Sequence, residues 1–396
     1  MTTLITGATI IDGTGRPPAK DSIIAIEGTQ ISFVGLKNQL SPQLGINHTI
    51  IDATGKTVLP GLINMHDHLV FKYAIGSFSD HIRKGAPNLT LFAAKTALDT
   101  LRSGITTIRD MATKYGISIA IREAINTGRM LGPRIIACNQ PICATGGHAS
   151  EVCCIADGPE AVRRAARKQL SLGADFVKVM ASHDPYEMPS EEKTRAELTQ
   201  DEIRAAFDEA RKWGKKTACH VMGQIALRNV IEQGVDIIDH GIYLDERLVS
   251  MMAEKHIVYS PTLSGYCCQT MNPRFERGEK WASDHQPLIE PLKRSFEIAI
   301  KAGLKIVCST DSTGRYAEEV ALMREAGMSP MDTILACTAV AAQALGMGDL
   351  IGTIEAGKKA DLVLLNADPL KNPYALEEVF LVIKDGMALY PHQITL

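Results

Sequence analysis

The stretch GLINMHDH, residues 61–68, decides the fold of this protein. It begins as a buried apolar run and ends on two histidines, His66 and His68, whose side chains point to the same side if the run is a strand. Seven further apolar runs of similar length follow it along the chain. They are GITTIRDM (104–111), RIIACN (134–139), DFVKVMA (175–181), KTACHV (216–221), DIIDHG (236–241), IVYSPTL (257–263) and KIVCSTD (305–311).

Amphipathic stretches lie between most of these runs and predict helices. In PEAVRRAARKQLSLG (159–173), Ala, Val and Leu recur at helical spacing, and Gly173 marks the end. In LTQDEIRAAFDEARKWG (198–214), Thr199 and Glu202 form a capping box, which favours a helix start. Eight strands that alternate with helices form either a (β/α)8 TIM barrel or an open doubly wound sheet. We favour the barrel, because no GxGxxG motif follows the first run.

Both ends of the chain have an all-β pattern. In residues 1–58, LITGATIID, DSIIAIEGTQISFVG and HTIIDATGKTVL are short β-rich runs broken by Gly, Asp and Asn. Residues 352–396 show the same pattern in GTIEAGKKADLVLLNAD and EEVFLVIKDGMALY. We therefore predict a small, discontinuous β-sandwich built from residues 1–58 and 352–396, beside a barrel of residues 59–351.

The composition argues against several classes of protein. The formal net charge is -3, and no basic block indicates nucleic-acid binding. The chain has no apolar stretch of about 18 residues for a membrane span, and its N-terminus lacks the features of a signal peptide. Nine scattered cysteines, an odd number, favour a reduced, cytoplasmic protein. We expect a small-molecule substrate, a homo-oligomer, and no nucleic-acid or membrane partner.

Side chains with metal-binding chemistry fall at or near the ends of these runs. Six of them, from five runs, are His66, His68, Lys178, His220, His240 and Asp311. The C-terminal ends of barrel strands converge on one face, so these side chains are predicted to meet there. Neutral imidazole is the commonest zinc ligand, and a carboxylate can both bind a metal and accept a proton. Taken singly, each has a plainer interpretation as a core histidine, a surface lysine or, for Asp311, a helix N-cap.

Lys178 is the unexpected member of this set. It lies in FVKVM, a run that is otherwise apolar, so its burial needs a reason. If the site holds two divalent metal ions, an ammonium beside them would be destabilised, and this favours the neutral amine. A neutral lysine can add carbon dioxide and form a carbamate, an anion able to bridge two metal ions. The position opposite that bridge would then hold hydroxide, the nucleophile of a hydrolase.

PGLINMHDH, FVKVMAS, ACHVMG, DHGIYLD and STDS together resemble the motifs of the amidohydrolase superfamily, in its prolidase-like and imidazolonepropionase-like branch. The resemblance covers nearly the whole chain, including the tail GTIEAGKKADLVLLNADP. It implies a centre of two divalent metal ions, expected to be Zn2+. It also implies how the ligands divide: His66, His68 and Asp311 on one ion, His220 and His240 on the other, and N6-carboxylated Lys178 between them.

The resemblance also implies contacts to the substrate. His148, in the segment TGGHAS after the third run, would polarise the scissile carbonyl. Tyr243, three residues after His240, would contact a substrate carboxylate. Arg315, just after Asp311, is a further candidate for that carboxylate. The plainer interpretations are a solvated loop histidine and a packed tyrosine.

Two features stay open at this point. The usual Asp of the family motif GLIDxHxH is Asn64 here, which removes a possible carboxylate behind the metal ligands, and Asp67 separates the two histidines. Residues 184–198, which include EEKTRAE at 191–197, form a long segment after the fourth run. This segment is predicted to be solvated, or to act as a lid over the site.

These observations predict a metal-dependent amidohydrolase that cleaves the amide between an acyl group and an amino acid. Candidate substrates are Xaa-Pro dipeptides, other dipeptides and N-acyl amino acids, and Asp311 would pass a proton to the leaving nitrogen. One alternative is an imidazolonepropionase-like cyclic amide hydrolase or a deaminase, which mostly use one metal and lack the lysine of the fourth run. A second alternative is a non-catalytic scaffold. Lys178 and the complete ligand set favour the amidohydrolase.

Overall fold

A computed structural model describes residues 2–20, 22–39, 48–72, 78–184, 195–267 and 278–395. Its strands are β1 (Thr2–Thr6), β2 (Thr9–Ile10), β3 (Ser22–Glu27), β4 (Gln30–Leu36), β5 (His48–Asp52), β6 (Thr57–Pro60), β7 (Leu62–Asp67), β8 (Ile105–Asp110), β9 (Arg134–Ala137), β10 (Ile142–Cys143), β11 (Cys154–Ile155), β12 (Phe176–Met180), β13 (Lys216–Val221), β14 (Ile237–His240), β15 (Val258–Ser260), β16 (Leu362–Leu365), β17 (Val379–Lys384) and β18 (Met387–Leu389). Its α-helices are α1 (Phe78–Arg83), α2 (Gly85–Arg102), α3 (Ile117–Asn126), α4 (Pro159–Ser171), α5 (Gln200–Lys212), α6 (Gln224–Glu232), α7 (Glu246–Glu254), α8 (Leu263–Cys267), α9 (Gly278–Lys301), α10 (Tyr316–Glu325), α11 (Pro330–Cys337) and α12 (Ala339–Ala344).

The strands near both ends of the chain form two sheets. One has the order β4-β3-β1-β5, and the other has the order β18-β17-β16-β6-β2. In the second sheet, β16 pairs antiparallel with β6, so that Leu362 lies opposite Pro60. A hydrophobic cluster takes residues from both sheets, among them Ile24 of β3 and Leu364 of β16. Strands from the beginning and the end of the chain therefore share one sheet and one apolar core.

The central part of the chain alternates parallel strands with helices. β7, β8 and β9 form one parallel sheet, and a second has the order β11-β10-β12-β13-β14-β15. Seven of the eight predicted apolar runs contain a strand. Thr199 and Glu202 form the predicted capping box at the start of α5, and Gly173 follows α4 with a left-handed φ of 99°. The protein is therefore of the mixed α/β class.

The eighth run, residues 305–311, differs from the prediction of a regular strand. Within the described chain, Ile306 is the one residue of this run that forms a β-bridge, and its partner is Tyr259. Asp311 has a left-handed φ of 58°, and its N–H donates to His66 O at 2.9 Å. A left-handed residue interrupts the extended geometry that strand pairing requires, so the chain turns toward β7 at this point.

Backbone hydrogen bonds outside the assigned strand pairs also connect the central strands. Asp175 N donates to Ala137 O at 2.7 Å, between β12 and β9. Met65 N of β7 donates to Cys308 O of the eighth run at 2.9 Å. Over the described residues, the assigned sheets are not joined into one closed barrel.

The helices bury apolar faces against the central strands. In α4 the buried apolar residues are Val162, Ala165, Ala166 and Leu170, and all belong to the largest hydrophobic cluster. No helix in the described ranges combines the length and the apolar composition needed to cross a membrane.

Asp361 fastens the terminal sheet to the central strands. Its Oδ2 lies 2.6 Å from Arg134 Nη1 of β9, and its Oδ1 lies 3.5 Å from Lys384 Nζ of β17. The same Oδ1 accepts a hydrogen bond from Asp385 N at 2.8 Å. The Asp361 side chain is only 3% exposed, so solvent cannot replace these contacts well.

Replacing Asp361 with Asn should lower the free energy of unfolding by about 1.5–3 kcal/mol, the usual contribution of a hydrogen bond to a charged group. Asp385→Asn removes a carboxylate of the same cluster that is 40% exposed, and it should cost less than about 1 kcal/mol. Urea unfolding of both variants beside the wild type measures the difference. Equal losses in the two variants would show that Asp361 does not fasten the sheet through its charge.

Candidate metal centre

A cavity of about 340 Å3 lies at the ends of the central strands. All six predicted metal ligands line it, together with the predicted carbonyl-polarising residue: His66, His68, Lys178, His220, His240, Asp311 and His148. Parallel pairing explains why they meet, because it aligns the strand ends. In the register of β12, β13 and β14, Met180 lies opposite His220, and Val221 lies opposite His240.

His66, His68 and Asp311 form the first tight group. The Nε2 atoms of the two histidines are 3.3 Å apart, and His68 Nε2 lies 3.2 Å from Asp311 Oδ1. One ligand atom from each residue lies within 4.8 Å of the others. This is the set that the sequence resemblance assigns to the first metal ion.

A second tight group consists of His148, Asp184 and His220, again with ligand atoms within 4.8 Å of one another. Asp184 Oδ1 lies 3.4 Å from His220 Nε2, and the rings of His148 and His220 stack at 4.1 Å. His240 lies beside this group, with ring centroids 4.6 Å from His220 and 4.9 Å from His66. The sequence resemblance predicts that His220 pairs with His240 at the second metal ion, and it predicts no role for Asp184.

Burial sets the charge of the imidazoles. It lowers the pKa of His66 to about 4 and that of His220 to about 4, and it holds the pKa of His240 well below its ordinary value. These histidines are therefore neutral at pH 7 and can offer a ring nitrogen to a cation. Burial would raise the pKa of Asp311, but His66 and His68 outweigh it and hold that pKa well below its ordinary value.

Two residues of the site have unusual backbone geometry. His240 has a φ of 71° and Asp311 a φ of 58°, in the left-handed region that side chains other than glycine rarely adopt. Side chains alternate along a strand, so Asp239 and His240 would ordinarily point to opposite faces. The left-handed turn at His240 lets both lie near His66, whose Nδ1 is 3.1 Å from Asp239 Oδ1. Such strain is typical of functional sites.

A buried ion pair supports His66 from behind. Arg109 Nη2 lies 2.6 Å from Asp239 Oδ1, and Arg109 Nε donates to Met65 O at 2.6 Å. Burial would raise the pKa of Asp239, but Arg109 and His66 outweigh it and lower that pKa. A carboxylate beside the second nitrogen of a ligand histidine fixes its ring orientation. This pair was not predicted from the sequence, although two charged residues inside apolar strands are a visible signal.

Lys178 lies within the cluster and is only 2% exposed. It is close enough to act electrostatically on His66, His220 and Asp239. A lysine this deeply buried almost always has a specific role or partner.

Asn64 organises the segment that carries Asp311. Its Nδ2 donates to Asp67 Oδ2 at 3.0 Å and to Thr310 Oγ1 at 2.8 Å, and its Oδ1 accepts from Thr310 N at 3.2 Å. Asp67 also pairs with Lys72 at 2.7 Å. Where the family motif has a carboxylate, the Asn64 amide donates hydrogen bonds to both Asp67 and Thr310.

Glu197 holds the loop that presents His148. Its Oε2 accepts from His148 N and its Oε1 from Ala144 N, both at 3.0 Å. A Cβ at Gly147 would lie 1.9 Å from the Glu197 carboxylate, so only glycine fits there. The side chain of Glu197 is 2% exposed, so the prediction of a solvated segment is wrong at this residue. Residues 185–194, which carry most of the predicted lid, lie outside the described residues.

Two predicted substrate contacts lie elsewhere. Tyr243 is partly buried against the hydrophobic core and is not among the described residues that line the cavity. Arg315 pairs with Glu377 at 2.6 Å and lines a separate cavity of about 790 Å3. The cavity of the cluster is instead lined by Tyr266 and His285, whose rings are 5.7 Å apart. No function was predicted for these two residues from the sequence.

The donor set suits a divalent cation. It combines neutral imidazoles with an ionised carboxylate, and these are the ligands that zinc and similar metals accept. His220 Nε2, in the second group, is buried without a hydrogen-bond partner in the described part of the chain, and such atoms are uncommon unless a function requires them. The cluster therefore has the chemistry to hold metal and to activate a polar substrate beside it.

Comparisons with known proteins agree with this chemistry. A sequence model of the amidohydrolase family matches residues 57–389. The chain is 29% identical to an ochratoxinase from Aspergillus niger over 95% of this chain and 83% of that protein. It is 26% identical to a 5-methylthioadenosine/S-adenosylhomocysteine deaminase from Symbiobacterium thermophilum, over 98% and 93% of the two chains. The structure of a Xaa-Pro dipeptidase with bound methionine superimposes with a TM-score of 0.87, at 28% identity over 98% and 100% of the two chains.

The lowered pKa of His66 gives a prediction for metal-free protein. An unfolded histidine titrates at about 6.5, so between pH 6.5 and 4 the unfolded chain binds more protons and stability falls as pH falls. His66→Asn removes this contribution and should reduce the loss of unfolding free energy across that range by roughly 2 kcal/mol. Urea unfolding of chelator-treated protein at several pH values measures it. The exposed His256, replaced by Asn, is the control and should leave the pH dependence unchanged.

Proposed function

Because the chain belongs to the amidohydrolase family, in its prolidase-like branch, we propose that it hydrolyses the amide bond of Xaa-Pro or other dipeptides, or of N-acyl amino acids. One observation carries the proposal: all six candidate ligands, with the buried Lys178 among them, line one cavity. The Xaa-Pro dipeptidase, which holds methionine in its active site, supports a substrate that contains an amino acid.

We propose that the central strands and helices, residues 59–351, form a (β/α)8 barrel. The backbone hydrogen bonds from Asp175 to Ala137 and from Met65 to Cys308 support closure of the strand array. The pairing of β16 with β6 supports a second domain built from residues 1–58 and 352–396.

The site is proposed to hold two zinc ions. His66, His68 and Asp311 would hold one, His220 and His240 the other, and carboxylated Lys178 would lie between them. When bound, the ions would supply Lewis-acid polarisation of the amide and a water activated at neutral pH. The burial of Lys178 supports a carbamate, because an anion between two dications is better tolerated there than an ammonium.

The chain's own residues then orient the amide and move the proton. His148 lies beside the cluster on a loop fixed by Glu197, where its ring can donate to the carbonyl oxygen. Asp311 is ionised, so its carboxylate can accept a proton from the attacking water and deliver it to the leaving nitrogen. Arg109 and Asp239 hold His66 in position. An amine leaves only after protonation, which makes the Asp311 transfer necessary for amides.

Replacing Lys178 with Ala should remove most bound metal and most activity, because the bridge between the ions is lost. Short carboxylic acids or high bicarbonate should restore part of both by supplying a substitute anion. Metal analysis should find about two equivalents in the wild type and far fewer in the variant. The exposed Lys168, replaced by Ala, is the control. A Lys178→Ala variant with full metal content and full turnover would contradict the carbamate.

Asp311→Asn tests the proton transfer within a panel of dipeptides, N-acyl amino acids and activated esters. The variant keeps one ligating oxygen but cannot carry the proton. Its kcat on amides should fall by about 10²-fold or more, with a smaller loss on esters whose leaving group needs no proton. Equal losses on both, with metal retained, would make Asp311 only a ligand. Wild-type protein that cleaves cyclic amides or deaminates heterocycles instead, or nothing at all, would favour the alternative functions.

A further inference from the structure

Among the described residues that line the cavity, acidic side chains outnumber lysine and arginine side chains. The described lining residues include Glu151, Asp184 and Asp311, whereas Lys178 is the one lysine or arginine among them. The proposed function places Lys178 and Asp311 at the metal ions. Glu151 and Asp184 remain, and neither has a part in the hydrolysis described above.

Asp184 is the more deeply placed of these two carboxylates. Asp184 is only 5% exposed, and its Oδ1 lies 3.4 Å from His220 Nε2. It also belongs to the compact group with His148, in which the ligand atoms are within 4.8 Å of one another. Asp184 therefore places a carboxylate at the wall of the cavity, beside His148 and His220.

Glu151 also lines the cavity and is only partly buried. It accepts a hydrogen bond from Ser79 Oγ at 2.6 Å, and this bond, with a smaller contribution from His148, lowers its pKa. Asp184 shares its compact group with His148, the residue proposed to contact the substrate carbonyl, and Glu151 follows His148 by three residues. A positive group of the substrate would be attracted to these carboxylates.

Covalent geometry limits how far the positive amino group of a bound dipeptide can lie from the scissile carbonyl. In a dipeptide, the α-amino nitrogen is bonded to the carbon next to the scissile carbonyl, so it lies only about 3 Å from that carbonyl oxygen. If His148 donates to the oxygen, the amino group lies within reach of Asp184. A carboxylate has two oxygens, so Asp184 can accept from an ammonium while it faces His220.

We propose that Asp184 is a specificity-determining residue that binds the protonated α-amino group of the substrate, with Glu151 adding to the attraction. This inference rests on the proposed function and narrows it. The preferred substrates are dipeptides with a free amino terminus, and N-acyl amino acids are poor substrates.

Matched pairs of substrates test the proposal on the metal-loaded protein. Ala-Pro and N-acetyl-Ala-Pro differ only at the amino group, and other dipeptides give further pairs. The wild type should show a kcat/KM about 10- to 100-fold higher for the free dipeptide, the range expected for one charge-assisted hydrogen bond. Asp184→Asn should bring this ratio close to one, mainly by slowing the free dipeptide, and should keep the metal content.

Two further variants complete the comparison. Glu151→Gln should lower the same ratio, but less than Asp184→Asn. Asp208→Asn removes an exposed carboxylate paired with Arg211 and should leave both rates unchanged. Loss of metal in Asp184→Asn would assign Asp184 to the metal centre and overturn the proposal. A wild type that cleaves the N-acetyl member equally well, or a variant that slows both members equally, would overturn it as well.

Calorimetric binding of the same pairs separates this inference from the hydrolytic function. Tighter binding of the free dipeptide, lost in Asp184→Asn, supports the amino-group contact even if no amide is cleaved. Equal binding of both members by the wild type overturns the contact even if amides are cleaved.

Discussion

The burial of imidazoles and carboxylates at one end of a parallel strand array is the constraint on which the rest of this structure depends. The parallel register places His220 opposite Asp239, and the left-handed backbone at His240 brings its ring beside His220. The turn at Asp311 brings that carboxylate to His66 and His68. Polar groups gathered away from water are costly unless each meets a partner or a cation. The neighbouring residues supply hydrogen-bond and ion-pair partners for these groups.

Three buried networks around the cluster act as its support. Arg109 and Asp239 fix His66 from inside the strand array, and Asn64 fixes the segment of Asp311 through Thr310. Glu197 fixes the His148 loop through backbone N–H groups. Each network joins segments far apart in sequence, so each couples the site geometry to the folded state. Ligands held in this way need little rearrangement when a metal or a substrate binds.

Two cavities of the described structure differ in the charged side chains that line them. The cavity of the cluster carries carboxylates beside the candidate ligands, and this is the basis for proposing an ammonium-bearing substrate. The larger cavity, which Arg315 lines, has its arginine paired with Glu377. Volume therefore does not identify the site, whereas the concentration of metal-binding side chains and strained backbone at His240 and Asp311 does.

The sequence by itself determined the mixed α/β class, the positions of seven central strands and the six side chains that meet in the cavity. Those features follow from local patterns, since apolar runs, capping residues and residues at strand ends can be read along the chain. Only the tertiary structure decided that Asp184 lies beside His220, Asp239 beside Arg109 and Glu197 beside the backbone of His148. It also decided that Arg315 lines a different cavity. Their partners lie on other strands and loops, and side-chain directions at His240 and Asp311 depend on left-handed backbone that no periodicity predicts. Contacts of this kind exist only after the chain has folded.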